Sequence, residues 1–357
     1  MDIFNKRINA VKDMLSSKQA ALVTDEISIF YFTGFPHSEG YLMITPDNSY
    51  LLVDFRYIEA AQNTVKSSEV VIFSNPFETI NNLISANNTE EILLEADKIT
   101  VSAFRTMQKE IKAELTGDDK LSLFIKDLRI IKSADEIEKL KTAQNIAEKA
   151  YLEVLNMVKP GITERQIALE LEYLMKKNGA EKIAFDLITV TGKKTSLPHG
   201  VPTDVEVRNG DFVTFDIGAV YEGYHSDMTR TVAVGEVSSK QIEVYETVLK
   251  AQEEAFRVMK AGVPCKDVDK AARDTIVNAG YGEYFGHGLG HGVGVEIHEL
   301  PSLNPSSGAI LEVGNIVTNE PGIYLPGEFG VRIEDMALIT EDGYENLTLS
   351  EKKLIVL

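Results

Sequence analysis

The chain has 357 residues, 44% hydrophobic and 25% charged, with a formal charge of −19 and a single cysteine, Cys265. That length allows two cored domains, since single cores stop growing beyond roughly 250 to 300 residues, and one cysteine excludes an internal disulfide framework and suits a reducing compartment. The acidic balance argues against a nucleic-acid partner, which needs a basic face to release counterions, and fits attraction of divalent cations, although solubility alone explains an acidic surface equally well.

The N-terminal MDIFNKRINAVKDML mixes both charge signs into its apolar residues, so it reads as an amphipathic helix and not a signal peptide. No uninterrupted apolar run approaches the roughly 18 residues a membrane span needs, so a cytoplasmic protein without membrane partners is expected. Short β-type runs follow: AALVT (20–24), ISIFYFTGF (27–35), YLMIT (41–45) and SYLLVD (49–54). A helix is expected from Arg56 to Lys66, strands at VVIF (70–73) and EILLEAD (91–97), and helices near Glu78 to Ser85 and Ser102 to Leu115. Together these make an α/β domain over residues 1–127 with one histidine, His37, and no catalytic constellation.

At Ser133 the pattern changes. Ser133 with Glu136 offers a capping box for a long helix to about Met157; Lys159-Pro160-Gly161 breaks it, and Thr163 with Gln166 opens the next, which ends near Gly179. The arrangement returns with Ser238 and Gln241, a break at Lys260-Ala261-Gly262, and a helix running to Gly280. At an offset of 101, Lys159 meets Lys260, Gly161 meets Gly262, Ile162 meets Val263, Ile167 meets Val268 and Gly179 meets Gly280. Five pairs in one register indicate an internal duplication over residues 128–357, and a cleft between two such halves is a natural site.

Between the helix pairs, DFVTFDIGAVYEGYHSDMTRT (211–231) reads as a β-hairpin turning at Glu222-Gly223. Residues whose numbers sum to 445 then face each other, so Asp216 opposes Thr229 and Asp227 lies one pleat along on the same face. Two carboxylates pointing the same way make a metal platform or a pair of surface acids. Further polar signals sit at Ser196-Leu197-Pro198-His199-Gly200, in the glycine-rich run from Gly286 to His298, at Thr318-Asn319-Glu320, and at Arg332-Ile333-Glu334. The glycine run matches neither a dinucleotide-binding nor a Walker loop. H-E-x-x-H and G-x-S-x-G are absent. Taken singly, each histidine is more simply a packed, hydrogen-bonded side chain. Taken together, Asp216, Asp227, His291, Glu320 and Glu334 are four carboxylates and one imidazole, which two divalent ions would neutralise if they converge. That donor set suits manganese, cobalt or zinc.

The runs FDIGAVYEGYHSDMTRT, PHG, HGLGHGVGVEIHE, TNEPGIY and GVRIED, with FTGF, SEG and DFRYIEAA towards the N-terminus, resemble the motifs of the two-metal "pita-bread" metallopeptidases, in the proline-directed branch of aminopeptidase P and Xaa-Pro dipeptidase (prolidase). The resemblance implies an α+β chain: an N-terminal α/β domain of the creatinase/prolidase type, then a pita-bread catalytic domain with pseudo-twofold duplication. It implies Asp216, Asp227, His291, Glu320 and Glu334 as ligands of two divalent ions, manganese foremost and cobalt or zinc as alternatives. Asp227 and Glu334 would bridge the pair, and a hydroxide between the ions would be the nucleophile. Glu320 would accept its proton, His298 and His199 would hydrogen-bond the tetrahedral intermediate and the peptide, and His287 and Arg332 would line the proline side. Arg332 has the simpler role of pairing with a ligand carboxylate as its alternative.

The expected activity is removal of an N-terminal residue preceding proline, with Xaa-Pro dipeptidase as the alternative. Some prokaryotic prolidases that resemble this chain carry an arginine just after H-E-x-P, placed to pair with a dipeptide's carboxylate; here that position is Ser302, which favours longer peptides. A non-catalytic peptide-binding module is a remote rival, because fold does not fix function. The resemblance also implies a homodimer. His37, His225 and Cys265 read as structural or incidental.

Overall fold

The chain is seen in a computed structural model that describes residues 2–36 and 39–357, and it divides into two compact units, Met1–Leu128 and Arg129–Leu357. His37 and Ser38, the latter in the SEG run, lie outside the described residues.

In the first unit, six strands form one mixed sheet: β1 (Gln19–Val23), β2 (Tyr41–Ile44), β3 (Ser49–Val53), β4 (Glu69–Ile72), β5 (Glu91–Leu94) and β6 (Glu114–Thr116), in the order β4-β3-β2-β1-β5-β6. Its central strands are buried on both faces, which is why they read as unbroken apolar runs. Leu22, Leu52 and Leu94 pack with Ile80, Ile84 and Met107 from the helices Pro76–Asn87 and Val101–Glu110. One expectation fails here. The run 27–35, read as β-type, is the helix Glu26–Thr33, capped by the Asp25 carboxylate on the Ser28 N–H and closed by Gly34 at φ 69°. A short apolar run has no period that separates a buried strand from a buried helix, and the cap at each end decides it. The helix expected from Ser102 to Leu115 also stops earlier, at Glu110, and Glu114–Thr116 pairs with β5 instead.

The second unit repeats a helix pair. Ala134–Val154 and Glu164–Lys177 make the first, and Ser239–Val258 and Cys265–Asn278 the second. Ser133–Glu136, Thr163–Gln166 and Ser238–Gln241 each form a complete capping box. The glycines paired by the 101-residue offset share a left-handed backbone: φ is 94° at Gly161 and 85° at Gly262, 107° at Gly179 and 87° at Gly280. Each helix pair has its own core. Tyr151, Leu171 and Leu174 pack on Val213, Phe215 and Ile217, and Val248, Val268 and Ala272 pack with Val317, Val331 and Ala337.

The hairpin keeps its expected register but is broken in the middle. Strands β7 (Lys182–Ile183), β8 (Ile188–Thr191), β9 (Phe212–Ile217), β10 (Ala219–Tyr221), β11 (Tyr224–His225) and β12 (Met228–Ala233) fall into two sheets, β11-β10-β7 and β12-β9-β8. Tyr221 faces Tyr224 and Asp216 faces Thr229, around a turn with φ of 46° at Glu222 and 78° at Gly223, as a two-residue type I′ connection demands. The break is at Gly218, where a Cβ would lie 2.0 Å from the Ser226 carbonyl. Strands β13 (Gly290–Gly292), β14 (Glu299–Leu303), β15 (Ile316–Asn319), β16 (Gly322–Leu325), β17 (Phe329–Arg332), β18 (Asp335–Ile339) and β19 (Tyr344–Asn346) complete the unit, in the sheets β14-β13-β15-β18-β19 and β16-β17. A lone bridge between Thr229 and Glu334 joins β12 to the start of β18. Among the described residues, no helix is long and apolar enough to cross a membrane.

Candidate metal centre and cleft

A cleft of about 1170 Å³ opens in the second unit, and all of the residues singled out from sequence line it: Asp216, Asp227, His287, His291, His298, His199, Glu320, Arg332 and Glu334. At its floor, Asp227, His291 and Glu334 each offer a donor atom, all within 4.8 Å of one another. His291 Nε2 lies 3.6 Å from Asp227 Oδ2 and 3.5 Å from Glu320 Oε1. The ring is aimed by its other nitrogen, which sits 3.0 Å from the Gly292 carbonyl, the outer contact that fixes a ligating histidine. Burial holds the imidazole down at about 4, hence neutral and free to donate a lone pair.

The backbone fixes the acids. Glu334 donates its N–H to the Thr229 carbonyl, and its Oε2 accepts from Thr229 Oγ1 at 2.7 Å. Glu320 is held through its N–H to the Leu289 carbonyl. The glycines flanking His291 serve close approach, not left-handed bends: a Cβ on Gly290 would lie 2.1 Å from the Thr318 carbonyl and one on Gly292 2.2 Å from that of Leu300. Strand β13 can therefore sit between β14 and β15 only without those side chains.

Burial, followed by the negative charges of Glu334, Asp216 and Glu320, raises the Asp227 carboxyl well above the ordinary range. Glu334 is raised likewise, by burial and then by Glu320 and Asp216. Burial pushes Glu320 up to about 8, with Arg332 opposing and Asp216 assisting. Asp216 Oδ1 and Glu334 Oε1 are buried without a hydrogen-bond partner among the described residues. Crowded, desolvated carboxylates with orphaned oxygens beside a neutral imidazole are the donor set that divalent cations satisfy, so these residues fit a metal centre.

Arg332 is buried, and each of its three guanidinium nitrogens has a partner. Its Nη2 donates to Asp216 Oδ2 at 2.6 Å, its Nε to Thr229 Oγ1 at 3.0 Å, and its Nη1 to the Tyr324 hydroxyl at 2.9 Å. Tyr324 also meets His287 Nε2 at 2.9 Å. The His298 ring stands edge-on to His291, with centroids 4.4 Å apart. His199 is exposed at the rim, on a loop whose two ends are pinned by one buried carboxylate. Glu164 accepts from the Thr191 N–H at 2.9 Å, from the Thr203 N–H and hydroxyl at 2.8 Å, and from Lys194 Nζ. Beside His298, the Glu299 carboxylate accepts from Arg129, Lys132 and the Glu296 N–H. Burial alone would raise this carboxyl, but Lys132 and Arg129 outweigh it and hold it at about 2.

The site residues expected from sequence do not include Tyr324, Thr229, Glu164 or Glu299. Tyr324 closes the TNEPGIY run, and Thr229 was placed opposite Asp216 by the hairpin register, so both had a signal. Glu164 carries none beyond its place in the first turn of a helix. His225 and Cys265 are buried and do not line the cleft.

The description "Metallopeptidase family M24" matches residues 138–341, and "Creatinase/Prolidase N-terminal domain" matches residues 7–131. The Xaa-Pro dipeptidase of Pyrococcus furiosus is 40% identical over 341 residues, spanning 95% of this chain and 96% of that protein. Among solved structures, an Xaa-Pro dipeptidase from Bacillus anthracis is 39% identical with a TM-score of 0.94, covering 99% of both chains. An X-Pro aminopeptidase from Thermotoga maritima is 37% identical with a TM-score of 0.89, over 97% of this chain and 100% of that one.

Proposed function

We propose that this chain, which belongs to metallopeptidase family M24 and carries a creatinase/prolidase N-terminal domain, hydrolyses the bond between an N-terminal residue and proline, acting as an Xaa-Pro dipeptidase. Among the relatives, the dipeptidase names support this alternative better than the aminopeptidase expected from the motifs. The observation that carries the reading is the convergence of Asp227, His291 and Glu334 donor atoms within 4.8 Å, with Glu320 beside His291. The family is one of metallopeptidases and needs divalent ions; a pair of manganese ions is our assignment, on an oxygen-rich donor set with one nitrogen.

Asp216, Asp227, His291, Glu320 and Glu334 would hold the ions. Bound there, two divalent ions supply Lewis acidity and an ionised water at neutral pH. The protein's part is to orient and to move protons. The Glu320 carboxylate takes the proton of the attacking water and returns it to the proline nitrogen as the C–N bond breaks, as a positioned general acid–base does. His298, at the mouth of the acid cluster, donates a hydrogen bond to the carbonyl oxygen as it gains charge. His199 holds the peptide from the rim. Arg332 holds Asp216 Oδ2 and Tyr324 in place, and His287 is fixed against Tyr324. The imino nitrogen of an Xaa-Pro bond has no N–H, so a pocket that offers no acceptor for one admits proline without loss.

One observation favours the aminopeptidase as a second reading. Arg332 is the only lysine or arginine among the described residues lining the cleft, and Asp216 already engages it; Ser302 stands in the lining and offers no charge to a dipeptide's carboxylate. The test is hydrolysis of Ala-Pro and Ala-Pro-Pro by chelator-stripped protein with and without manganese. Metal-dependent cleavage with preference for Ala-Pro is expected. Preference for the tripeptide would move the assignment to the aminopeptidase, and no cleavage of either would sink both.

A further inference from the structure

Arg230 is the largest fully buried side chain among the described residues, 1% exposed. It follows Thr229 on β12, so by strand alternation it projects from the face opposite the cleft. A guanidinium has five N–H donors in a fixed fork, and here each has an acceptor. Nη1 donates to the carbonyls of Thr229 at 2.9 Å and Glu334 at 2.7 Å. Nη2 donates to Asp335 Oδ1 at 2.7 Å and the Ser350 carbonyl at 2.8 Å, and Nε to the Glu351 carbonyl at 3.1 Å. The second oxygen of Asp335 is occupied as well, by Asn346 Nδ2 at 2.9 Å and Lys352 Nζ at 3.0 Å.

These contacts join three segments at one buried point: β12, which follows Asp227; the turn carrying Glu334, bridged to β12 at Thr229; and the C-terminal stretch from Asn346 to Lys352. Asp227 and Glu334 stand on the two segments that this bridge joins, with donor atoms within 4.8 Å. We infer that Arg230 and Asp335 form a positioning unit that sets the separation of the Asp227 and Glu334 carboxylates, and that the C-terminal segment belongs to the metal centre through the two carbonyls it lends to Arg230. The inference rests on the reading of Asp227 and Glu334 as ligands. Arg230 and Asp335 touch no substrate; they act through the backbone of Thr229 and Glu334.

The test compares the parent, Arg230→Lys, the double variant Arg230→Met/Asp335→Leu, and Tyr245→Phe. The double variant removes both charges together, which spares the fold the cost of one buried orphan charge. Arg230→Lys keeps the charge but offers three donors on one nitrogen in place of five on a fork, so it cannot hold all five acceptors. Tyr245→Phe cuts another tie of the same segment, the 2.8 Å bond to the Lys352 carbonyl, and leaves the guanidinium contacts alone. Manganese binding is measured by calorimetry on chelator-stripped protein, beside thermal melts and kinetics. Folded Arg230 variants are expected to bind the second ion about 10- to 100-fold more weakly, as outer contacts of metal ligands do. Their kcat falls while KM holds, and Tyr245→Phe lowers the melting temperature with metal binding unchanged. Parent-like binding of two ions in either folded Arg230 variant overturns the inference, as does metal affinity that follows melting temperature through the whole set. A parent that binds no ions would instead remove the ligand reading itself, and the inference with it.

Discussion

Glu320 and Glu299 are both buried, but their proton affinities move in opposite directions, and they leave opposite marks on the pH dependence of stability. Glu320, in the metal-free protein, is raised from 4.5 to about 8, chiefly by burial. A carboxyl raised on folding binds more protons folded than unfolded between those values, so its contribution is whole below about 4.5 and is lost as pH rises through about 8. Glu299 is held at about 2 against the pull of burial by Lys132 and Arg129, so its contribution is present above 4.5 and is lost as pH falls through about 2. Chelated protein is therefore expected to lose stability between pH 5 and pH 8, with Asp227 and Glu334 acting in the same direction. Saturating divalent metal should abolish that loss, because ligation requires the ionised form and releases the proton. Melting temperatures of chelated and manganese-loaded protein across this range provide the check. A gap between the two that stays constant with pH would mean that these acids are not the ones the metal binds.

The loop from Thr191 to Thr203 shows how one carboxylate can hold an element. Glu164, 1% exposed, ties both ends of the loop that carries His199 and neutralises Lys194 within it. Glu164→Ala is expected to cost on the order of 3 kcal/mol of stability by leaving these partners unpaired and to lower kcat/KM. Glu164→Gln keeps a single carbonyl acceptor, enough for one end of the loop but not both, and should recover only part of the activity. Denaturant unfolding and steady-state kinetics measure the two effects, and full activity in a folded Glu164→Ala protein would detach His199 from the reaction. No motif announces Glu164, because its partners lie in a loop far along the chain, where only the fold brings them together. The acids at 216 and 227 were legible for the converse reason: a two-residue turn fixes the register, and a period of two then places both on one face. The helix Glu26–Thr33 is not legible as one because its buried apolar run has no polar face to mark the helical period. The capping boxes and the paired glycines were legible because they are local, each decided by the backbone of a few residues.

At the scale of the whole molecule, every proposed ligand and every acid that crowds the centre belongs to the unit Arg129–Leu357, while Met1–Leu128 has a core of its own. Metal binding should therefore stabilise the chain unevenly. A ligand that binds only the folded state, at a free concentration about 100 times its Kd, adds roughly 2.7 kcal/mol. For a unit of 150 to 250 residues, each kcal/mol is worth about 2–4 °C, so each ion bound at that saturation should move the transition of the second unit up by roughly 5 to 10 °C. Differential scanning calorimetry of chelated protein, repeated with manganese, tests this. One transition should rise with metal while the other stays, and the rising one should carry the larger enthalpy, because the second unit is the larger and unfolding enthalpy scales with residue number. The Asp227→Asn/Glu334→Gln variant should remove the shift without removing either transition. If both transitions rise together in the parent, the two units unfold as one cooperative body and the metal centre stabilises the whole chain. If neither moves, the acids at the cleft floor do not bind the ion.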